Sequence, residues 1–160
     1  MEEKRVCNSN LKETNEMELL FDASSENEGF ARVAVAAFMT GLNPTLEEVS
    51  DVKTAVSEAV TNAIIHGYGF VKQEEEVKNK IRLHCSTQGK NIRISVEDKG
   101  VGIEDVHKAM EPLFTTKPEL ERSGMGFAFM EAFMDEVQVY SVVGEGTRVV
   151  MEKTLGKDCE

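Results

Sequence analysis

Between Thr45 and Gly67 the chain carries a helix start, an apolar stripe of helical period and a helix stop, and this segment constrains the rest of the fold. Thr45 with Glu48 forms a capping box, in which hydroxyl and carboxylate each satisfy a backbone amide that the first turn leaves unpaired. Val52, Val56, Ala59, Val60, Ala63 and Ile64 recur at the spacing of one helix face, so the helix must lie against a core. Gly67 ends it, just after His66. Glu58 and Asn62 are four residues apart, about 40° around the axis, and so stand together at the margin of the apolar face or project into a cavity. His66, four further on, is expected on the same stripe. A carboxylate beside a carboxamide that can ligate magnesium points to phosphoryl transfer, although such a stripe could equally hold a metal, a base or a buried polar pair.

The flanking segments supply what that helix packs on. Residues 1–16 are polar and without period, which predicts a flexible arm; Met17 to Ala23 reads as a strand. Ser25-x-x-Glu28 predicts a second capping box, opening a helix through Phe38 that stops at Gly41. After the Thr45 helix the period switches from helical to two. Lys80 to Thr87 and Asn91 to Glu97 alternate apolar and polar residues about a Gln88-Gly89-Lys90 turn. A short helix is expected from Ile103 to Met110, a mobile loop over 111–126, a helix from Phe127 to Met134, and a closing hairpin of Glu136 to Val143 with Thr147 to Lys153. The acidic run Glu74-Glu75-Glu76 reads as a solvated loop. Helices first and hairpins later predict an α/β two-layer sandwich, one mixed and mostly antiparallel sheet with helices on one face. One domain over 17–155 with a short tail, 156–160, accounts for the whole pattern.

Composition removes several classes of function. At 160 residues, 41% of them hydrophobic, the chain can bury one real core. A net charge of −11 argues against a nucleic-acid surface, which needs clustered Lys and Arg. An anionic nucleotide would need a divalent cation, a helix N-terminus and a few local basic residues to offset that field. Cys7, Cys85 and Cys159 are far apart and lack CxxC spacing, which predicts a reducing compartment with neither a zinc site nor a disulfide frame. The most apolar run, Phe30 to Met39, is too short to span a bilayer, and no signal-type segment follows the N-terminus, so a cytoplasmic protein is expected.

Two glycine motifs carry further chemistry. Asp98-Lys99-Gly100-Val101-Gly102 follows a strand directly: the glycines let a flat ligand approach the backbone, and the carboxylate can accept from an exocyclic amine such as that of adenine. Alone, it could be only a tight turn. Ser123-Gly124-Met125-Gly126 stands immediately before the helix at Phe127, where backbone donors suit anionic oxygens. Thr115, Thr116, Lys117 and Arg122 just upstream could add hydroxyl and cationic contacts from a mobile loop, and an ordinary surface loop would also fit. No Gly-x-x-x-x-Gly-Lys-Ser/Thr occurs, nor His-Arg-Asp with Asp-Phe-Gly, which removes P-loop enzymes and the eukaryotic-type protein kinases.

The ordered set Glu58-x-x-x-Asn62, Asp98-x-Gly100-x-Gly102 and Gly124-x-Gly126 resembles the asparagine box and the two glycine boxes of the GHKL (Bergerat-fold) ATP-binding superfamily. Gyrase, chaperone and MutL members carry further domains, and sensor histidine kinases need a helical dimerisation segment, so the length suits the stand-alone anti-sigma serine kinases. The runs Ser25-Glu26-Asn27-Glu28-Gly29-Phe30-Ala31-Arg32, Ser57 to Tyr68 and Pro112 to Phe127 resemble that family's sporulation anti-sigma F branch, over roughly residues 17–153.

The resemblance implies an ATP- and Mg2+-dependent protein serine kinase. In it Asn62 would bind Mg2+ and Glu58 would take the proton from a partner's serine. Asp98, with Gly100 and Gly102 beside it, would read adenine, assisted by Thr147. Thr116, Lys117, Arg122, Ser123, Gly124, Met125 and Gly126 would hold the phosphates. His66 would border the nucleotide, although on pattern alone it is a satisfied histidine near a helix end. Arg32 matches the family's partner-contacting arginine. The implied partners are a sporulation sigma factor and an anti-anti-sigma antagonist carrying the target serine, with a homodimer as the assembly. A stress-response anti-sigma kinase, a nucleotide-gated binding module without transfer and a plain ATPase are the competing readings.

Overall fold

A computed structural model describes residues 14–69, 79–111 and 126–156. Strand β1 (Thr14–Asp22) leads into helix α1 (Ser25–Phe38) and, after a 3-10 turn at Met39–Leu42, helix α2 (Leu46–Asn62). A π turn over Ala63–Gly67 continues α2. Then come β2 (Lys80–Gln88), β3 (Asn91–Asp98), the short helix α3 (Val106–Ala109), α4 (Gly126–Phe133), β4 (Glu136–Val142) and β5 (Gly146–Thr154). The five described strands form one sheet in the order β1-β2-β3-β5-β4, antiparallel at every junction among them.

The alternation seen in the sequence sets the layers. Ile81, Leu83 and Cys85 of β2 and Ile92, Ile94 and Val96 of β3 all point to one face, where they are buried. Val35 of α1 and Met39 just after it, with Val52, Val56, Ala59 and Val60 of α2, close on that face to make a single core. Each Val, Ile, Leu or Met among them contributes about 1.5–3 kcal/mol when taken from water, which pins α2 from Val52 to Val60. Cys85 lies inside this core, and burial pushes its thiol up to about 12, leaving a small hydrophobe rather than a nucleophile.

Both hydrogen bonds of the Thr45 capping box are present: the Thr45 amide donates to Glu48 Oε1 at 2.9 Å and the Glu48 amide to Thr45 Oγ1 at 3.1 Å. The box expected at Ser25 is not. Ser24 precedes α1 without a side-chain cap, and Glu28 turns away from the backbone to accept from the Ser57 hydroxyl on α2, with Arg32 at 3.8 Å. A carboxylate that can join two helices is not available to close its own first turn. The turn after α1 ends at Asn43 in the left-handed region (φ 53°) rather than at Gly41. Strand β1 begins three residues before the expected Met17. The short helix is trimmed to Val106–Ala109, capped by Asp105, whose Oδ1 accepts from the Lys108 amide at 3.1 Å. The expected loops at 74–76 and 112–125 lie outside the described residues.

Candidate active site

Helix α2 brings the Glu58–Asn62 pair to the start of α4, and the approach depends on a missing side chain. A methyl group on Gly126 would stand 3.0 Å from Asn62 Nδ2, 3.2 Å from its Oδ1 and 3.3 Å from Glu58 Oε2. Carboxylate and carboxamide therefore converge on the first residue of a helix, where unpaired amides favour anionic oxygens. Asn62, His66 and Gly126 line a cavity of about 880 Å3, with Glu58 just beyond its wall. That volume is ample for a nucleotide-sized ligand.

His66 reaches the cavity by a route the helical period does not predict. The chain leaves the α-helix after Asn62, and the Tyr68 amide donates to the Ala63 carbonyl at 3.1 Å, an i→i+5 bond that makes the last turn a π turn. The wider turn lays Gly67 against the end of β3. Val101 donates its amide to the Gly67 carbonyl at 2.9 Å, and a Cβ on Gly100 would fall 1.9 Å from that same oxygen. Gly100 is thus required for backbone contact under the site. Gly102, with φ +76°, lines the cavity itself and abuts the Val142 carbonyl.

Asp98 ends β3 facing into the cavity, only 6% exposed. Its Oδ1 accepts from the Gly100 amide at 2.9 Å. Burial pushes its carboxyl up from 3.8 to about 6; the amides of Gly100 and Thr147 oppose that rise, and neighbouring Glu97 adds to it. Thr147 faces Asp98 across the β3–β5 ladder and also lines the cavity. A buried acceptor with apolar neighbours Val96 and Val149 can recognise one amine of a flat ring while the walls cover its faces.

Two contributors were given no role by the sequence. Tyr68 Oη accepts from the Lys99 amide at 2.7 Å and donates to the Lys80 carbonyl at 2.5 Å. Ser141 Oγ accepts from the Ile103 amide at 2.7 Å and lies 3.0 Å from the Gly146 carbonyl and 2.8 Å from Thr147 Oγ1. If Ser141 donates to Gly146, Thr147 donates to Ser141, leaving the lone pairs of Thr147 for a ligand. Both residues act through partners distant in the chain, so periodicity and spacing assign neither a role, although Tyr68 closes the Ser57 to Tyr68 run.

Arg32 is not in this cavity. It lies on α1 between Phe30 and Val33, which are 56% and 59% exposed. Thr116, Lys117, Arg122, Ser123, Gly124 and Met125 lie outside the described residues. Among the described residues no group of three or more His, Cys, Asp or Glu side chains could hold a metal ion, and no helix is long and apolar enough to cross a membrane. The amide oxygen of Asn62 is a hard donor of the kind Mg2+ accepts, and one or two protein oxygens suffice where phosphates and water complete the shell.

Comparison with known proteins bears on this geometry. The histidine kinase-like ATPase domain matches residues 21–153. The chain is 57% identical over 141 residues to the anti-sigma F factor of Clostridium novyi, covering 88% of this chain and 95% of that one. It is 54% identical over 143 residues to the anti-sigma F factor of Oceanobacillus iheyensis, covering 89% and 94%. The solved structure of the RsbU and RsbW domains of a Mycobacterium tuberculosis protein shares the fold, with a TM-score of 0.63 at 20% identity, covering 88% of this chain and 32% of that longer one. Identity of this extent over nearly the full length of its relatives, on a histidine kinase-like ATPase domain, makes the chain a member of the anti-sigma F factor family.

Proposed function

We propose that this protein binds Mg-ATP in the cavity, holds a sporulation sigma factor inactive, and phosphorylates a serine of the antagonist protein that would otherwise release it. The observation that carries the kinase reading is the convergence of Glu58 and Asn62 on Gly126 at the start of α4. A general base, a hard-oxygen ligand and a helix N-terminus meet there, beside the cavity that holds Asp98.

In this reading Asp98 accepts from the adenine amine, Gly102 lets the ring lie close to the backbone, and Thr147 contacts the base from β5. Asn62 Oδ1 would hold Mg2+, which would supply positive charge to offset that of the phosphates. The backbone near Gly124 and Gly126, with Thr116, Lys117, Arg122, Ser123 and Met125, grips the phosphates, and His66 borders them. The partner's serine oxygen attacks the γ-phosphorus as the bond to the β–γ bridging oxygen breaks. Glu58 receives the serine proton, and ADP leaves. Arg32, with exposed Phe30 and Val33, forms the surface that sigma factor and antagonist would contend for, in a homodimer whose two copies each present it.

The test is Glu58→Gln, which keeps shape and removes basicity. Transfer from labelled ATP to the antagonist serine is expected to fall ~10²–10⁴-fold, with ATP affinity within about threefold of the parent. An undiminished transfer rate would remove Glu58 as the base. Sigma-factor binding that is equally tight with ATP and ADP would show that the bound nucleotide does not govern the hold on the sigma factor.

A further inference from the structure

We infer that Tyr68 is a positioning residue for adenine recognition: its buried hydroxyl ties the π turn and the start of β2 to the Asp98 turn, and so sets where the Asp98 carboxylate points. The inference rests on the reading of Asp98 as the adenine acceptor and adds a residue that has no contact with the base itself.

Tyr68 is 8% exposed, and its ring packs in the core. Packing alone would be served equally by phenylalanine, so the hydroxyl requires another explanation. That hydroxyl is saturated by two main-chain groups far apart in sequence, the Lys99 amide (2.7 Å) and the Lys80 carbonyl (2.5 Å). Lys99 is the residue immediately after Asp98, and Lys80 opens β2. Meanwhile the Tyr68 amide closes the π turn on Ala63. One residue thus joins the turn that carries His66 and Gly67 to the turn that carries Asp98.

There is little slack between those turns. A Cβ on Gly67 would lie 2.8 Å from the Asp98 carboxylate, and one on Gly100 would lie 1.9 Å from the Gly67 carbonyl oxygen. A small slide of one turn must therefore displace the carboxylate on the other. Burial raises the Tyr68 hydroxyl above its usual range, which keeps it a neutral donor through physiological pH.

The experiment compares ATP with purine riboside 5′-triphosphate, which lacks the 6-amino group, for the full chain and for Tyr68→Phe, by calorimetry. The parent is expected to prefer ATP at least tenfold. Tyr68→Phe is expected to lose about tenfold in ATP affinity, the worth of one buried hydrogen bond, while the analogue changes by less than threefold, so the preference collapses. A purely structural role would weaken both ligands alike, and a preserved ratio overturns the inference. A parent with no preference for ATP overturns the adenine reading of Asp98 itself, a different failure. Should the variant not fold, amide exchange in the parent still decides: the Lys99 amide is expected to be protected at least a hundredfold although it sits in a turn, and free exchange there refutes the clamp.

Discussion

Gly126→Ala separates stability from catalysis at the place where the two helices meet. The added methyl would sit 3.0–3.3 Å from three atoms, all of them at the ends of the Asn62 and Glu58 side chains. Ordinary carbon contacts lie at about 3.5–4.0 Å, so each neighbour must yield by several tenths of an ångström. Among the described residues the three nearest atoms are all side-chain ends rather than backbone, and Gly126 has no positive φ to be strained by alanine. Alanine also removes unfolded-chain entropy, worth about 0.4–1 kcal/mol at a compatible site, which roughly offsets the crowding. Stability is therefore expected to stay within about 1 kcal/mol, a melting shift of no more than ~4 °C. Catalysis has no such cushion: a misplacement near 1 Å can cost ~10²-fold, so several tenths should lower transfer about tenfold. The assay is single-turnover phosphate transfer to the antagonist serine at saturating ATP, beside a thermal melt. Gly29→Ala on α1, where a Cβ meets nothing within 4 Å, serves as the control and should leave the rate unchanged. A Gly126→Ala protein that melts normally and transfers within twofold of the parent would show that the Glu58–Asn62 geometry does not govern the reaction.

Gly100→Ala should behave in the opposite way. Its Cβ would overlap the Gly67 carbonyl at 1.9 Å, so the turn must open, losing the Val101–Gly67 bond and disturbing that from Gly100 to Asp98. Denaturant titration is expected to read a loss of about 3–5 kcal/mol, together with loss of ATP binding; an unaltered midpoint would contradict the close approach. The raised Asp98 carboxyl predicts two opposed pH effects. Because its folded value, about 6, exceeds the ordinary 3.8, the nucleotide-free protein binds this proton more readily than the unfolded chain does between those limits. Its contribution to stability thus grows as pH falls from about 6 towards 4 and is lost as pH rises through the same window. ATP binding needs the ionised acceptor, so its affinity should be level above pH 7 and fall towards tenfold per unit below 6. Calorimetry with ADP at pH 7.5, 6 and 5 checks this, and a level profile, or one unchanged in Asp98→Asn, would refute it.

How much of this site was legible follows from how far each interaction reaches along the chain. The Thr45–Glu48 box spans three residues and is present as expected. At Ser25 an identical spacing failed, because Ser57 on α2 and Arg32 take the Glu28 carboxylate. Glu58 and Asn62 could be paired from spacing alone. Nothing in the sequence, however, says that Gly126 would stand between them, since that contact joins segments more than sixty residues apart.

By itself, then, the sequence determined the layers, the capped helices and the residue types of a nucleotide site, because those follow from period, turn chemistry and the charge a residue carries. The tertiary structure alone decided where the parts meet. The π turn that swings His66 and Gly67 onto the Asp98 turn, the Tyr68 hydroxyl between them, and the Ser141 bridge to Thr147 and Ile103 are all settled by packing. Local propensity acts over a few residues, whereas the position of a buried carboxylate depends on strands, turns and helices closing on it at once.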